Sequence, residues 1–180
     1  MRVALLLRGV NVGGVTVRSA DLRSLLAGAG LDDVVTVLAS GNAVVTVPDA
    51  VGPRGAARAA ERALEERYGR RIRVLGIGIE ALRAIVDAFP HAEDEQHTPY
   101  VVFELEPGVA AELGTLPVGD GEAVALGDGV VPGVVHGVVH WSNPKGSTLT
   151  SPFAKALERT GKDRVTTRNL RTLRKVLTAA

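Results

Sequence analysis

The sequence predicts an α+β protein in which one order of strands and helices occurs twice along 180 residues. Short runs of β-branched residues alternate with helical stripes of leucine and alanine, and this alternation recurs in the second half. The hydrophobic content of 46% is enough for a packed core. The chain is therefore long enough to form two small domains.

The first half predicts the order strand, helix, strand, strand, helix, strand. Its opening strand is a consecutive apolar run, and the first helix carries a leucine stripe that ends at Gly30. The second and third strands are separated by Ala-Ser-Gly-Asn, a composition suited to a hairpin turn. The predicted ranges are 2–7, 19–29, 34–38, 43–47, 56–68 and 72–79.

The second half predicts the same order from a weaker pattern, after a linking helix closed by Pro90. Thr166 or Thr167 is expected to cap a C-terminal helix whose leucines face inward. A split βαβ order used twice is that of the ferredoxin-like plait, so we expect two such subdomains plus a C-terminal helix. The predicted ranges are 100–105, 108–113, 123–126, 134–141, 151–159 and 164–166.

The expected organisation is a first ferredoxin-like subdomain at 1–79, a linking helix and loop at 80–98, and a second subdomain with the C-terminal helix at 99–180. The acidic, proline-bounded segment 91–99 is predicted to be flexible. Consecutive apolar positions in the first subdomain's strands indicate a sheet buried on both faces. Because two helices cover only one face, the other is expected to meet the second subdomain, the linking helix or a partner subunit of a homo-oligomer.

Composition excludes several classes of chemistry. The chain has no cysteine, so disulfides, thiolate nucleophiles and cysteine zinc sites are excluded. The first apolar run ends at Arg8, too short for a signal-peptide core or a membrane span, so we expect a cytoplasmic protein without a membrane partner. No metal or cofactor is expected, since His91 and His97 lack ligand spacing and His136 and His140 would stand about 13 Å apart in a strand.

Charge is unevenly distributed, although the formal net charge is only +1. The middle of the chain is acidic, and the segment from Lys155 onward is basic. The basic segment is typical of a solvated helical face, with nucleic-acid binding through phosphates as the alternative. Aromatic residues make up 3% of the chain, and the first subdomain's central strands contain none, so aromatic stacking on RNA bases is unsupported.

Polar residues follow the first strand in the stretch LLRGVNVGG, residues 6–14. In a plait, this loop, the hairpin turn at 40–42 and the segment 69–71 lie at one end of the sheet. Backbone amides, small polar side chains and guanidinium groups are typical of an anion site. The sequence therefore predicts a small phosphate or carboxylate ligand here, with Arg168, beside Asn169 at the start of the last helix, as a further contributor.

LLRGVNVGG, ASGNAVV and VTTRNLRTLRK together resemble three signatures of a family of small uncharacterised bacterial proteins, catalogued as domain of unknown function sixteen-ninety-seven. The resemblance implies two ferredoxin-like subdomains and no established activity. Leu170 stands where the family commonly has tryptophan. The candidate ligand-binding residues that match the family's motifs are Arg8, Asn11, Gly13, Gly14, Ser40, Gly41, Asn42, Thr167, Arg168 and Asn169.

Three alternatives to a binding protein stay open at this point. The same pocket could belong to an enzyme in which Arg8 and Arg168 stabilise developing negative charge, although no general base is visible. The basic C-terminal helix could instead contact a protein or a nucleic acid. Finally, the motif residues could be purely structural, with glycines serving turns and asparagines satisfying buried backbone groups.

Overall fold

The computed structural model describes residues 1–11, 15–127 and 137–180. These residues form two four-stranded antiparallel sheets with helices, the mixed α+β class that the sequence predicts. The strands are β1 Arg2–Leu7, β2 Asp32–Val37, β3 Asn42–Thr46, β4 Val74–Gly78, β5 His97–Glu104, β6 Ala123–Gly127, β7 Val138–Pro144 and β8 Val165–Asn169. The helices are α1 Ser19–Gly28, α2 Gly52–Tyr68, α3 Ile79–Asp87, α4 Val109–Leu113, α5 Pro152–Gly161 and α6 Leu170–Thr178.

The chain forms two compact units. Unit 1 contains Met1–Arg83 and Arg174–Ala180, and unit 2 contains Ala84–Leu173. The division therefore falls inside α3 and inside α6. The subdomain boundaries at 79 and 99 stay a prediction.

Unit 1 is built on a sheet of order β2-β3-β1-β4, with β1 paired to β3 on one side and to β4 on the other. Val3, Leu5 and Leu7 of β1 belong to a core shared with the leucines of α1 and α2. Ala4 and Leu6, on the opposite face of the strand, are also fully buried. The expectation of a sheet buried on both faces thus holds for β1, whereas edge strand β2 is largely exposed.

Helix α2 passes very close to β4. A Cβ atom at Gly76 would overlap the Pro53 carbonyl oxygen and lie 2.8 Å from the Pro53 carbonyl carbon. The helix begins at Gly52, four residues before the alanine-rich run predicted from the sequence, because proline is well suited to the first turn of a helix. Only a residue without a side chain allows this first turn to approach the strand.

Unit 2 has a sheet of order β6-β7-β5-β8, in which β5 and β7 are central. Its core contains Val102 and Val139 of these strands together with Trp141 and Phe153. The elements predicted for the second half of the chain are present, but their ends are shifted. Residues 134–136 of the predicted strand 134–141 lie outside the described residues.

Two expectations about unit 2 are wrong. Strand β5 begins at His97, so residues 97–99 of the predicted flexible segment are paired with β7. The reason is local: one carboxylate oxygen of Asp94 accepts the backbone N–H groups of Gln96 and His97, both at 2.8 Å, and sets the direction in which the strand starts.

The second correction concerns the last helix. Thr166 and Thr167 lie within β8, which continues to Asn169, so neither threonine caps α6. The capping group is the Asn169 side chain, whose Oδ1 accepts the Arg171 N–H at 2.8 Å. Pairing with β5 extends β8 by three residues beyond the predicted end.

Within residues 1–11, 15–127 and 137–180, the helices are all too short or too polar to cross a lipid bilayer.

The close approach of α2 to β4 gives a first test. We expect Gly76→Ala to lower the free energy of unfolding by about 3 kcal/mol, because the added methyl group meets backbone atoms that cannot move aside. Gly78→Ala is the matched control on the same strand, where the nearest atom to a new Cβ is Met1 Cε at 3.5 Å. Urea denaturation followed by circular dichroism measures both, and equal effects would contradict the packing argument.

Candidate functional site

Three segments of unit 1 meet where β1 ends. The Leu7 N–H donates to the Gly41 carbonyl at 2.9 Å, and the Arg8 N–H donates to the Arg73 carbonyl at 2.8 Å. The chain leaving β1 is thus bonded to the β2–β3 hairpin turn on one side and to the start of β4 on the other. The expected meeting of the β1 exit with the turn at 40–42 is thus observed, while the bond on the other side is made by Arg73, two residues beyond the predicted segment 69–71.

We call these segments the loop end of unit 1. It comprises residues 8–11, 15–18, 38–41 and 69–73. Gly13 and Gly14, two of the predicted ligand-binding residues, lie outside the described residues.

Asn11 bridges the loop after β1 to the hairpin turn. Its Nδ2 donates to the Val17 carbonyl at 3.1 Å and to the Ala39 carbonyl, while its Oδ1 accepts the Val17 N–H at 2.8 Å. Its backbone adopts a left-handed conformation, with φ of 59°, which asparagine tolerates better than most residues. Both ends of this carboxamide are therefore engaged by the protein itself.

Gly41 allows the loop to pack against the hairpin turn. Its φ is +71°, and a Cβ atom there would overlap Val10 Cγ2 and lie 3.1 Å from Leu7 Cβ. Val10 is buried in the core of unit 1. The glycine at this position therefore serves packing as well as the turn.

Ser40 and Asn42 are also bonded to each other. Asn42 is fully buried, and its Nδ2 donates to the Val37 carbonyl at 3.0 Å and to Ser40 Oγ at 2.8 Å. These bonds close the hairpin turn around a buried amide. The Ser40 residue itself is exposed.

The loop end carries an unbalanced charge. It contains five arginines and no aspartate or glutamate, and Arg8 is partly buried among them. Helix α1 starts here at Ser19, with Arg18 as its N-cap residue and no side-chain hydrogen bond to its first turn. The arginines are Arg8, Arg18, Arg70, Arg71 and Arg73.

The remaining predicted residues, Thr167, Arg168 and Asn169, belong to unit 2. Arg168 lies in β8 and not in the first turn of a helix, which corrects the expected position. Its side chain is 8% exposed, and Nη1 donates to Thr166 Oγ1 and to the Thr167 carbonyl, both at 2.9 Å. Hydrogen bonds within its own strand therefore hold this guanidinium group.

Unit 2 contains a carboxylate that the sequence analysis missed. Glu122 accepts the Gly119 N–H at 2.8 Å, the Trp141 Nε1–H at 3.0 Å and the Phe153 N–H at 3.2 Å. Burial acts to raise its pKa, but hydrogen bonds from Ser151, the two backbone amides and the indole outweigh burial, so the pKa lies below its ordinary value. The ionised carboxylate supplies the negative charge that the N-terminus of α5 favours.

The Glu122 carboxylate and the Ser151 hydroxyl together bind the first turn of α5. The Ser151 hydroxyl accepts the Ala154 N–H at 3.2 Å, so two protein groups already serve the first turn of the helix. Residues 142–144 belong to β7, where they pair with β5, and the negative charge at the start of α5 comes from a side chain of the protein.

His140 is the most unusual titratable side chain of unit 2. It is 2% exposed, and its Nε2 has no hydrogen-bond partner among the residues that the structure describes. Burial lowers its pKa, nearby His91 lowers it further, and the Ile85 carbonyl opposes these effects in part. The imidazole is therefore neutral at pH 7.

Metal binding finds no support in the described residues, where no three His, Asp or Glu side chains are grouped to hold an ion. His97 Nδ1 lies 2.9 Å from an Asp94 oxygen, and this contact holds the pKa of that carboxyl below its ordinary value. His136 lies outside the described residues.

Comparison with known proteins identifies a family and a fold. A family model described as "Protein of unknown function (DUF1697)" matches residues 1–131. The structure of a conserved bacterial protein, SP0830 from Streptococcus pneumoniae, is similar with a TM-score of 0.76 and 23% identity, covering 99% of this chain and 97% of that one. No curated protein matches the chain.

The Asn11 bridge can be tested separately from ligand binding. Asn11→Gly keeps a residue that tolerates positive φ and removes all three side-chain hydrogen bonds, so we expect a loss of about 1–2 kcal/mol in unfolding free energy. Hydrogen exchange of the Val17 amide should accelerate, while that of Val102 in unit 2 serves as the internal reference. Unchanged stability and unchanged Val17 exchange would show that Asn11 has no bridging role.

His140 gives a test by pH. Since its pKa is depressed in the folded state, the unfolded chain takes up the proton first, and stability should fall as pH drops through the unfolded value of about 6.5. We expect His140→Gln to flatten this decrease in urea unfolding measured from pH 8 to pH 5.5. Folding of the variant is checked at pH 8, where His140 and the glutamine that replaces it are both neutral. If the unfolding free energies of wild type and His140→Gln fell in parallel with pH, His140 would be excluded as the cause of the decrease.

Proposed function

The chain belongs to the DUF1697 family of proteins of unknown function, and we propose that it binds a small anionic ligand, a phosphate or a carboxylate, at the loop end of unit 1. The observation that carries this proposal is the charge of the segments that meet there. Five arginines share this end of the sheet, and the same segments contain no acidic residue. Guanidinium groups bind phosphate and carboxylate oxygens through paired, charge-assisted hydrogen bonds.

The start of α1 supports the same proposal. The first N–H groups of a helix favour a negative charge, and Arg18, the N-cap residue of α1, makes no side-chain hydrogen bond to its first turn. Helices α5 and α6 differ, because Ser151 with Glu122 serves the first and Asn169 serves the second. An anion at the loop end would take the position that protein side chains fill in unit 2.

The motif residues divide into two roles in this proposal. Asn11, Gly41 and Asn42 hold the segments together, so they position the site. Arg8 is the residue we assign to direct contact with the ligand, with the exposed Ser40 hydroxyl beside the turn as a second donor. Thr167, Arg168 and Asn169 are left out, because bonds within β8 and α6 account for them.

Binding is favoured over catalysis by what the loop end contains. A reaction with proton transfer needs a general base, and the described residues of the loop end include no histidine, aspartate or glutamate. We therefore propose a binding protein and not an enzyme. The absence of cysteine is the observation that favours a cytoplasmic location.

We also propose that each unit is a ferredoxin-like plait. Both units follow the order strand, helix, strand, strand, helix, strand. In both sheets the first and third strands of the unit are neighbours at the centre, and all pairs are antiparallel. This is the arrangement expected when split βαβ units form one sheet.

The proposal is tested with Arg8→Ala. In wild-type protein we expect inorganic phosphate or citrate to raise the melting temperature, because a ligand that binds only the folded state stabilises it. Arg8→Ala should weaken the apparent affinity by roughly tenfold or more, as expected for the loss of hydrogen bonds to a charged group.

Arg58→Gln, an exposed arginine in the interior of α2, is the control variant and should keep the wild-type shift. Sodium chloride at equal ionic strength separates binding from a general salt effect. A shift that is identical in wild type and Arg8→Ala would remove Arg8 from the site, and the absence of any shift in folded wild type would contradict the proposed function.

A further inference from the structure

The segment that follows α3 packs against the residue of β7 that is buried without a partner, His140. The Phe89 ring lies 5.3 Å from the His140 ring and 5.4 Å from the His91 ring, measured between centroids. His91 Nε2 lies 3.4 Å from the His140 carbonyl oxygen. The segment 88–91 therefore contacts both the ring and the backbone of a single residue in the central part of the sheet.

The other neighbours of the His140 ring are uncharged. Val101 of β5 and Ala125 of β6 are its cross-strand partners, and a Cβ atom at Gly127 would lie 3.0 Å from His140 Cε1. The Ile85 carbonyl forms a hydrogen bond with the ring. Nε2 is buried and has no acceptor among the residues that the structure describes. A proton on Nε2 would therefore create an unpaired buried charge, which costs free energy.

The charged groups near His140 do not favour a positive charge on its ring. His91 is the titratable group in contact with it, and Arg168 lies on the same face of the sheet, on the far side of β5. Each of these groups repels an imidazolium at His140 when it is itself charged. The other charged residues of α3 and of the segment after it are exposed: Glu80, Arg83, Asp87, Glu93, Asp94 and Glu95.

Opening of the segment 88–91 would give Nε2 access to water without unfolding the sheet. Ala88 and Pro90 are exposed, as are residues 92–96, so few apolar contacts would be lost. Strand β7, in contrast, is paired with both β5 and β6 and is buried along most of its length. Local opening occurs in parts of a protein that have few buried apolar contacts, so this segment would move before the strand.

From these contacts we infer that the segment 88–91 is a pH-sensitive switch, which stays packed on β7 while His140 is neutral and opens when His140 is protonated. Opening exposes the His140 ring together with the apolar Phe89 ring that covers it. The switch lies within unit 2, and the inference does not depend on the anion site proposed for unit 1.

The test is hydrogen exchange, followed by NMR, of two amides that opening would release. The Ala88 N–H donates to the Ala84 carbonyl at 3.0 Å. The Phe89 N–H donates to the Val86 carbonyl at 3.4 Å. Between about pH 7.5 and pH 5.5, their exchange, corrected for its intrinsic pH dependence, should accelerate by up to about tenfold, because the open form is protonated near pH 6.5 and the closed form only at lower pH. Exchange of the Val102 amide in β5 should not accelerate with them.

His140→Gln should abolish the acceleration, because glutamine does not titrate in this range. His97→Gln is the matched control, since His97 is a second histidine of unit 2 and contacts the exposed Asp94 at the start of β5. This variant should keep the wild-type acceleration. Wild-type protein provides a measurement that needs no variant: the ring signals of His140 and Phe89 should shift together below about pH 6.5.

Several results would overturn the switch. Exchange of Ala88 and Phe89 that does not change with pH would show that the segment stays closed. The same acceleration in His140→Gln, or its loss in His97→Gln, would show that His140 is not the group responsible. Equal acceleration of Val102 would show that unit 2 opens as a whole and not at this segment.

Discussion

The structure of unit 1 depends on two backbone hydrogen bonds at the end of β1, from Leu7 to Gly41 and from Arg8 to Arg73. Strand β1 is central and buried on both faces, so the chain that leaves it must satisfy its polar backbone groups within a crowded region. These two bonds join the strand's end to both of its neighbours in the sheet. They thereby bring the backbones of Arg8 and Arg73 together.

The polar motif after β1 contains residues that serve folding, and these differ from the arginine to which the proposed function assigns binding. Asn11 and Asn42 place their amides on carbonyl groups of the protein, and Gly41 makes room for Val10. A ligand is not needed to satisfy these groups, so the loop end is organised without one. Under the proposed function, such preorganisation would lower the entropic cost of binding, and the arginines would provide the attraction.

Prediction from the sequence succeeded where the pattern was local. Strand β1 and helix α1 were predicted almost to the residue, because an apolar run and a leucine stripe are signals within a single element.

The hydrogen bonds of Glu122 could not be predicted, since Trp141 and Phe153 lie 19 and 31 residues further along the chain. Arg168 was misplaced for a similar reason: pairing with β5 extends β8 past the point where helix propensity alone would begin α6. Topology correctly predicted that the β1 exit meets the hairpin turn, but the reason for Gly41 is a contact with Val10 that composition does not reveal.

The two units share an order of elements, but different groups lie at the N-termini of their helices. In unit 2, the first turn of α5 is served by a carboxylate of the chain itself, held by an indole and two backbone amides. Helix α6 is likewise capped by Asn169. In unit 1, α1 begins at an arginine without a side-chain cap, at the end of the sheet where further arginines accumulate. An internal carboxylate supplies the negative charge that a helix N-terminus favours, whereas under the proposed function this charge would come to α1 from the bound anion. The same order of elements thus holds a structural carboxylate in unit 2 and the proposed anion site in unit 1, and the two units differ in which residue type occupies the start of each helix.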